Sequence, residues 1–306
     1  MPPEALERGV AALRARGFRV LLGEHAGDRR GHLAGEDRDR AADLHAMFVR
    51  EDVDAVLCAR GGSGSIRLLP HLDWDLLAAH PRVFLGYSDV TILQLALLRR
   101  CRQPSFFAPM VTPDFAREPS AACVELLRRL ACEPLPAGEL ADPRASAAVT
   151  LAPGAAEGPL VGGTLSLVTA TLGTPFEIDT DGAVLFLEDV HESPARVERC
   201  LAQLLLAGKL ERAAGFLLGA FSWEAPEEER ARYLKTEEVL ADFLLPLGRP
   251  ALLGWPFGHV PDPVTLPMGI RVRLDAGRKS LEVLEPAVGP PRRRQAGGAG
   301  APNVSP

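Results

Sequence analysis

The sequence predicts an α/β protein that contains a parallel sheet. Short apolar segments alternate with helical segments along most of the chain, which is typical of βαβ units. The length of 306 residues fits two domains. Hydrophobic residues make up 47% of the chain, so each domain can bury a core of its own.

Helix and strand alternate through the N-terminal half. In the first helix, Leu6, Val10 and Leu13 share one face and Gly17 provides a stop. The predicted helices are Ala5–Arg16, Asp37–Arg50, Asp73–His80 and Asp89–Arg100. The predicted strands are Phe18–Leu22, Val53–Cys58 and Arg82–Tyr87. We therefore expect an N-terminal domain over residues 1–116.

Composition changes over residues 117–158, where one helix at about Ser120–Leu130 lies between segments that contain proline. We predict a linker region there and a C-terminal domain over residues 159–285. Its predicted helices are Gly163–Leu172, Pro194–Ala207 and Glu227–Leu245, and its predicted strands are Ala183–Leu187, Gly215–Phe221, Gly269–Asp275 and Ser280–Glu285. The tail 286–306, rich in Pro, Gly, Ala and Arg, is predicted to be disordered.

Charge and cysteine usage argue against several function classes. A formal net charge of -6 gives no basic footprint for nucleic acid. No apolar run approaches the ~18 residues of a membrane span, so we expect no membrane partner. The five cysteines are scattered without C-x-x-C spacing, which favours reduced thiols over disulfides or a zinc site. Because the N-terminal residues lack the features of a secretory signal, we expect a cytoplasmic protein.

Ser88 is the first candidate for chemistry. It lies between a predicted strand and a predicted helix, so it would stand at the carboxyl end of the sheet, where open α/β folds bind ligands. The N–H groups that begin the next helix could stabilise an oxyanion. Val90 breaks the G-x-S-x-G pattern of a nucleophile elbow. The alternative is that Ser88 only caps the helix.

Two other segments also follow predicted strands. The Gly-rich turn Arg60–Ser65 could present backbone N–H groups to an anion, although it matches no phosphate-binding motif and could be a simple tight turn. Glu188 and Asp189 place carboxylates at the end of a strand, where an ordinary acid is the alternative. His191 nearby raises the further alternative of a metal site, but the spacing is not H-E-x-x-H.

His259 lies among apolar residues in a loop that is dense in proline and glycine. A lone histidine of this kind is usually structural or exposed to solvent. Together, however, Ser88, Glu188 and His259 supply the side chains of a hydrolytic triad, in which the roles matter more than the order along the chain.

Six ordered segments form a recognisable pattern. They are Arg60–Pro70, Gly86–Asp89, Gly162–Leu165, Gly173–Pro175, Leu185–Asp189 and Gly258–His259 followed by Thr265–Pro267. Together these segments resemble the serine LD-carboxypeptidases, a family that includes muramoyltetrapeptide carboxypeptidases and microcin C self-immunity peptidases. The similarity runs from about Glu4 to Glu285.

The resemblance implies a role for each candidate residue. Ser88 would be the nucleophile, His259 the general base and then the acid, and Glu188 the residue that orients His259. The oxyanion hole would use the backbone N–H of Asp89 and one from Gly61 or Gly62. No metal or cofactor is implied.

The resemblance also implies a fold and an activity. It implies a Rossmann-like N-terminal domain that carries Ser88, a separate, smaller α/β C-terminal domain that carries Glu188 and His259, and an active site in the interdomain cleft. The expected enzyme is a homodimeric serine peptidase that releases D-alanine from a murein tetrapeptide during cell-wall recycling. A microcin-type peptidase acting on a peptidyl-nucleotide and a non-catalytic peptide-binding protein are the alternatives.

The sequence departs from the family pattern in two places. Ser63 stands where the family turn usually has an aromatic residue. The family also has an apolar strand before the first helix, whereas this sequence starts almost at that helix. That strand should be central in the sheet, so we expect its loss to leave unpaired backbone groups and an uncovered core.

Overall fold

A computed structural model describes residues 3–290 of the chain. The strands are β1 (Ala55–Leu57), β2 (Val83–Gly86), β3 (Ser105–Phe107), β4 (Gly138–Glu139), β5 (Val149–Ala152), β6 (Ala155–Thr164), β7 (Val184–Val190), β8 (Gly215–Ser222), β9 (Ala251–Leu253), β10 (Leu266–Met268), β11 (Arg271–Asp275) and β12 (Ser280–Val283). The α-helices are α1 (Pro3–Ala15), α2 (Asp37–Val49), α3 (Trp74–Ala79), α4 (Thr91–Cys101), α5 (Ala121–Cys132), α6 (Leu165–Ala170), α7 (Pro194–Leu206), α8 (Lys209–Arg212), α9 (Glu227–Arg230) and α10 (Thr236–Leu244).

These strands form two sheets. The first has the order β1-β2-β3-β10, in which β1, β2 and β3 are parallel and β10 is antiparallel. The second has the order β4-β12-β11-β6-β7-β8-β9-β5, with a parallel centre from β6 to β9. The predicted α/β class with parallel strands is confirmed. The C-terminal part was expected to be the smaller domain, but it contains most strands of the larger sheet. It also contributes β10 to the first sheet.

The segment 117–158, predicted as a linker region, contains α5 and adds the edge strands β4 and β5 to the second sheet. From residue 291 onward, the tail that was predicted to be disordered lies outside the described residues. Within residues 3–290, every helix is too short or too polar to cross a membrane.

The strand predicted at Phe18–Leu22 is wrong. These residues belong to neither sheet, and the side chains of Leu21 and Leu22 are 40% and 51% exposed. The segment has the β-branched and apolar residues of a strand, but a strand also needs a neighbour for its backbone N–H and C=O groups. No strand of the described chain pairs with it. The nearest sheet ends at β1, whose outer edge is unpaired.

A groove of about 1050 Å³ lies beside the unpaired edge of β1. It is lined by the apolar face of α1, including Leu6 and Val10, by residues 18–22 and by β1 itself. In its lining, Leu6 and Val10 are buried, whereas Leu21 and Leu22 are exposed.

The single helix predicted at Glu227–Leu245 is also wrong, because two helices, α9 and α10, occupy this segment. Residues 226–235 are all exposed, so the connecting turn has no apolar face to hold it in a continuous helix. At Lys235 the backbone is extended (φ -69°, ψ 150°). Its N–H donates to the Glu238 carboxylate at 2.7 Å, which begins a new helix there.

Three buried aromatic rings join the two sheets next to the candidate residues. Phe107 lies on β3, Phe186 on β7 two residues before Glu188, and Phe257 two residues before His259. Their ring centroids are 5.3, 6.2 and 5.7 Å apart, with near-perpendicular planes. Such edge-to-face packing fixes ring positions. It therefore fixes the strand and loop ends from which the site is built.

Replacing Phe257 with alanine is expected to lower the free energy of unfolding by about 3–5 kcal/mol, because the fully buried ring leaves a cavity between the sheets. Urea denaturation followed by circular dichroism measures this change. Leu206→Ala is the control, since Leu206 is 88% exposed and its truncation should change the stability by less than about 0.5 kcal/mol. A loss below about 1 kcal/mol in Phe257→Ala would contradict this account of the junction.

Candidate active site

Ser88 lies on a sharp turn between β2 and α4. Its φ of 65° is left-handed, which is unfavourable for any residue except glycine. The helix α4 begins at Thr91, with Val90 as its N-cap, and the Ser88 hydroxyl makes no hydrogen bond within the described chain. The interpretation of Ser88 as a helix cap is therefore wrong. A half-buried serine held in a strained conformation is typical of a functional turn.

The Gly-rich turn lies directly against Ser88. A Cβ added to Gly61 would lie 2.7 Å from Ser88 Cβ and 2.9 Å from Ser88 Oγ, so only glycine fits there. Gly62 has a φ of 123°, which again favours glycine. The buried carboxylate of Asp89 accepts a hydrogen bond from the Ser65 N–H at 2.8 Å, which ties the turn to the start of the helix.

The backbone N–H groups of Gly61 and Gly62 donate no hydrogen bond within residues 3–290. A Cβ on Gly61 would also lie 3.4 Å from the backbone nitrogen of Asp89. The turn that carries these two amides therefore packs against Asp89, the residue after Ser88. Such amides can stabilise negative charge that develops on a reacting carbonyl oxygen.

Glu188 and His259 form a hydrogen-bonded pair. The Glu188 side chain is fully buried at the end of β7, and it accepts from His259 Nδ1 at 2.7 Å and from the His259 N–H at 3.2 Å. Gly258 allows this approach, because its φ is 79° and a Cβ there would lie 2.5 Å from Glu188 Oε2. With Nδ1–H donated to the carboxylate, Nε2 of a neutral His259 carries the free lone pair.

Thr164 connects this pair to the helix that follows Ser88. Its hydroxyl donates to Glu188 Oε1 at 2.7 Å, and its N–H donates to the Thr91 hydroxyl at 3.2 Å. Glu188 thus has hydrogen-bond donors for both carboxylate oxygens, as a buried charged group requires. The same residue fixes the second sheet against α4.

The pKa of His259 reflects two opposing effects. Burial by itself lowers the pKa, but the hydrogen bond to Glu188 and the charges of Glu188, Asp189 and Asp114 outweigh it. The net effect raises the pKa above the usual value of 6.5. The His259 side chain keeps 21% of its surface exposed, so the ring remains reachable from solvent.

Tyr87, the residue before Ser88, bridges the two halves of the site. Its ring meets the His259 imidazole edge-on with centroids 5.0 Å apart. Asp114, whose charge acts on Tyr87, accepts a hydrogen bond from the Met110 N–H at 2.8 Å. Burial raises the pKa of both Tyr87 and Asp114. The sequence analysis missed the role of these two residues, because nothing in the local pattern links positions 87 and 114.

The other acids near Glu188 have separate partners. Asp189 accepts from the Ser166 N–H at 2.8 Å in the first turn of α6, and burial raises its pKa to about 6. Glu192 forms an ion pair with Arg196. In this segment, therefore, only Glu188 binds His259, whereas the Asp189 and Glu192 carboxylates bind Ser166 and Arg196.

The structure brings together most of the predicted site residues. Ser88 lies against Gly61, and Glu188 holds His259, while Tyr87 contacts His259 from the Ser88 side. A direct hydrogen bond between Ser88 and His259 is not formed within residues 3–290.

The class of protein follows from what these groups can do. A histidine whose Nδ1–H is held by a buried carboxylate is suited to act as a general base. A serine on a strained strand-to-helix turn beside free amides is suited to act as a nucleophile. The fold and the site are those of a serine-type hydrolase.

Sequence comparison then gives the family. The family model described as the LD-carboxypeptidase N-terminal domain matches residues 1–108, and that of the LD-carboxypeptidase C-terminal domain matches residues 157–274. The chain belongs to the LD-carboxypeptidase family, which confirms the resemblance seen in the sequence.

Three similar proteins illustrate the family. A Bacillus subtilis protein described as a probable murein peptide carboxypeptidase is 40% identical over 286 residues, which cover 92% of this chain and 87% of the relative. The crystal structure of a muramoyltetrapeptide carboxypeptidase from Oxalobacter formigenes is 32% identical with a TM-score of 0.80, and the match covers 92% of this chain and 94% of that one. The microcin C7 self-immunity protein MccF of Escherichia coli is 25% identical over 304 residues, which cover 91% and 87% of the two chains.

Proposed function

We propose that this chain is a cytoplasmic serine peptidase that hydrolyses the L,D-amide bond to a C-terminal D-amino acid. The substrate class is a murein tetrapeptide, and the products are a tripeptide and D-alanine, as in peptidoglycan recycling. The observation that carries the proposal is the 2.7 Å hydrogen bond between the buried Glu188 and His259 Nδ1. The names of the Bacillus subtilis and Oxalobacter formigenes proteins support the choice of substrate.

In the first half of the reaction, Ser88 Oγ attacks the carbonyl carbon of the scissile amide while His259 Nε2 takes the hydroxyl proton. The N–H groups of Asp89 and of Gly61 or Gly62 stabilise the resulting oxyanion. His259 then gives the proton to the nitrogen of the leaving D-alanine, and the C–N bond breaks. An acyl-enzyme on Ser88 remains.

In the second half, His259 removes a proton from water, and the water attacks the acyl-enzyme carbonyl. Collapse of this second intermediate releases the tripeptide and returns the proton to Ser88. Glu188 keeps His259 in the required tautomer throughout and stabilises the imidazolium. Hydrogen bonds of this kind are often long in the free enzyme and shorten when substrate binds, so the proposed step does not require a Ser88–His259 hydrogen bond in the free protein.

The test is mass spectrometry of a murein tetrapeptide incubated with the protein. We expect the mass to fall by one alanine residue. The matched control peptide ends in L-alanine and should react about 10²-fold more slowly, because the altered stereochemistry misplaces the scissile carbonyl.

Two outcomes would contradict the proposal. Cleavage of a peptidyl-nucleotide without cleavage of the tetrapeptide would favour a microcin-type activity. No cleavage of either by protein shown to be folded would favour a peptide-binding role.

A further inference from the structure

Arg60 opens the Gly-rich turn, and its guanidinium folds back over that turn. Its Nε donates to the Gly61 carbonyl at 3.1 Å. Its Nη2 would lie 3.5 Å from a Cβ on Gly62. Gly61 packs against the Ser88 side chain, and Gly62 is its neighbour along the turn. The guanidinium therefore lies one residue away from the contact with the reactive hydroxyl.

The guanidinium also has free donors. Arg60 is exposed, and its two Nη groups make no hydrogen bond or ion pair within residues 3–290. Arg40 and Arg67, on the far side of the same turn, both pair with Asp37. Arg117, close to Tyr87, lies within the field of Asp114. Within the described part of the chain, Arg60 is therefore a cation beside the site whose two Nη groups have no partner.

Several charged groups around the site are acidic, which makes the positive charge of Arg60 important for binding an anionic substrate. Asp89, Asp114, Glu188 and Asp189 are four acidic side chains that surround the reacting groups. A substrate that carries a negative group close to the scissile bond would be repelled by this set. A planar guanidinium is the side chain that binds a carboxylate most specifically, through two parallel N–H···O bonds.

We propose that Arg60 binds the terminal carboxylate of the substrate, and that this contact restricts cleavage to the last residue of a peptide. The inference rests on the proposed function, in which the residue after the scissile carbonyl carries a free carboxylate. That carboxylate lies one residue beyond the carbon attacked by Ser88, and the guanidinium of Arg60 lies over Gly62, the neighbour of the glycine that packs against Ser88. Arg60 is thus a specificity residue and takes no part in bond breaking.

The experiment compares two substrates, a tetrapeptide with a free terminal carboxylate and the same peptide as its C-terminal amide. Both contain the same scissile bond. In the wild-type protein, kcat/KM should be about 10–100-fold higher for the free acid, as expected for a charge-assisted hydrogen-bonded pair. In Arg60→Gln, kcat/KM for the acid should fall by that factor, mainly through KM, while the rate on the amide stays within about twofold.

Two further variants make the result specific. Arg60→Lys keeps the positive charge but loses the two parallel N–H donors of the guanidinium. It should retain part of the preference for the free acid. Arg67→Gln removes a comparably exposed arginine that pairs with Asp37, and it should retain the whole preference. Circular dichroism checks that each variant is folded.

The possible outcomes separate the inference from the function on which it rests. An equal loss on both substrates in Arg60→Gln would show that Arg60 only supports the turn, which overturns the inference. Equal rates on acid and amide in the wild type would overturn it as well, while leaving the peptidase activity in place. Failure of the wild type on both substrates would instead overturn the proposed function and the inference together.

Discussion

Ser88→Ala is expected to reduce kcat for a murein tetrapeptide by about 10⁴–10⁶-fold, since removal of a serine nucleophile leaves only binding and oxyanion stabilisation. The side chain makes no hydrogen bond within the described structure, so its loss leaves no buried group unpaired. Product formation is measured by chromatography and mass spectrometry. Substrate binding, measured by calorimetry, should remain within a few-fold of the wild-type value.

The control for this variant is Ser222→Ala, at an exposed position at the end of β8, which should leave kcat within about twofold. Residual turnover in Ser88→Ala above about 1% of the wild-type rate would contradict the assignment of Ser88 as nucleophile. Loss of binding together with turnover would point instead to a role of Ser88 in holding substrate.

Ser88→Gly adds a second readout. Because Ser88 has a φ of 65°, glycine at this position should relieve about 1 kcal/mol of backbone strain and raise the stability of the protein. A variant that is more stable and yet inactive cannot owe its inactivity to misfolding. The strained turn would then be a feature kept for chemistry at the expense of stability.

The candidate side chains could be predicted because each one ends a strongly apolar strand or lies in a stiff loop. In the structure, Glu188 lies near the end of β7, a strand that is buried along almost its whole length. The sequence could not predict the contacts that set the properties of His259. Tyr87 and Asp114 approach it through the fold, and no local spacing encodes their meeting.

The strands that were missed show a similar limit. The central strand β6 contains Gly158, Gly162 and Gly163, and glycine normally argues against a strand. A Cβ at Gly158 would overlap the carbonyl oxygen of Gly182, and one at Gly162 would overlap that of Phe186. These glycines are needed for close backbone approach between distant segments, so their meaning is tertiary. Conversely, Phe18–Leu22 has the composition of a strand but no partner.

The second large effect concerns His259 and its dependence on pH. His259→Ala is expected to lower kcat/KM by about 10⁶-fold, because both proton transfers pass through this ring. Glu188→Gln should be milder, at about 10⁴-fold, because Glu188 orients and stabilises the ring without touching substrate. A loss in Glu188→Gln equal to that in His259→Ala would contradict this ranking.

The pH profile separates orientation from electrostatics. Only neutral His259 can accept a proton, so kcat/KM of the wild type should rise with pH as this histidine loses its proton. Because the surroundings raise the pKa of His259 above the usual 6.5, the midpoint of the rise should also lie above 6.5. Glu188→Gln removes the negative charge that raises the pKa of His259 but leaves the burial that lowers it, so the midpoint should move to lower pH. Glu192→Gln, which alters an acid paired with Arg196, should leave the midpoint unchanged. Misfolding of Glu188→Gln would lower the rate at every pH without moving the midpoint. A midpoint that stays fixed or rises in Glu188→Gln would therefore contradict the claim that Glu188 raises the pKa of His259.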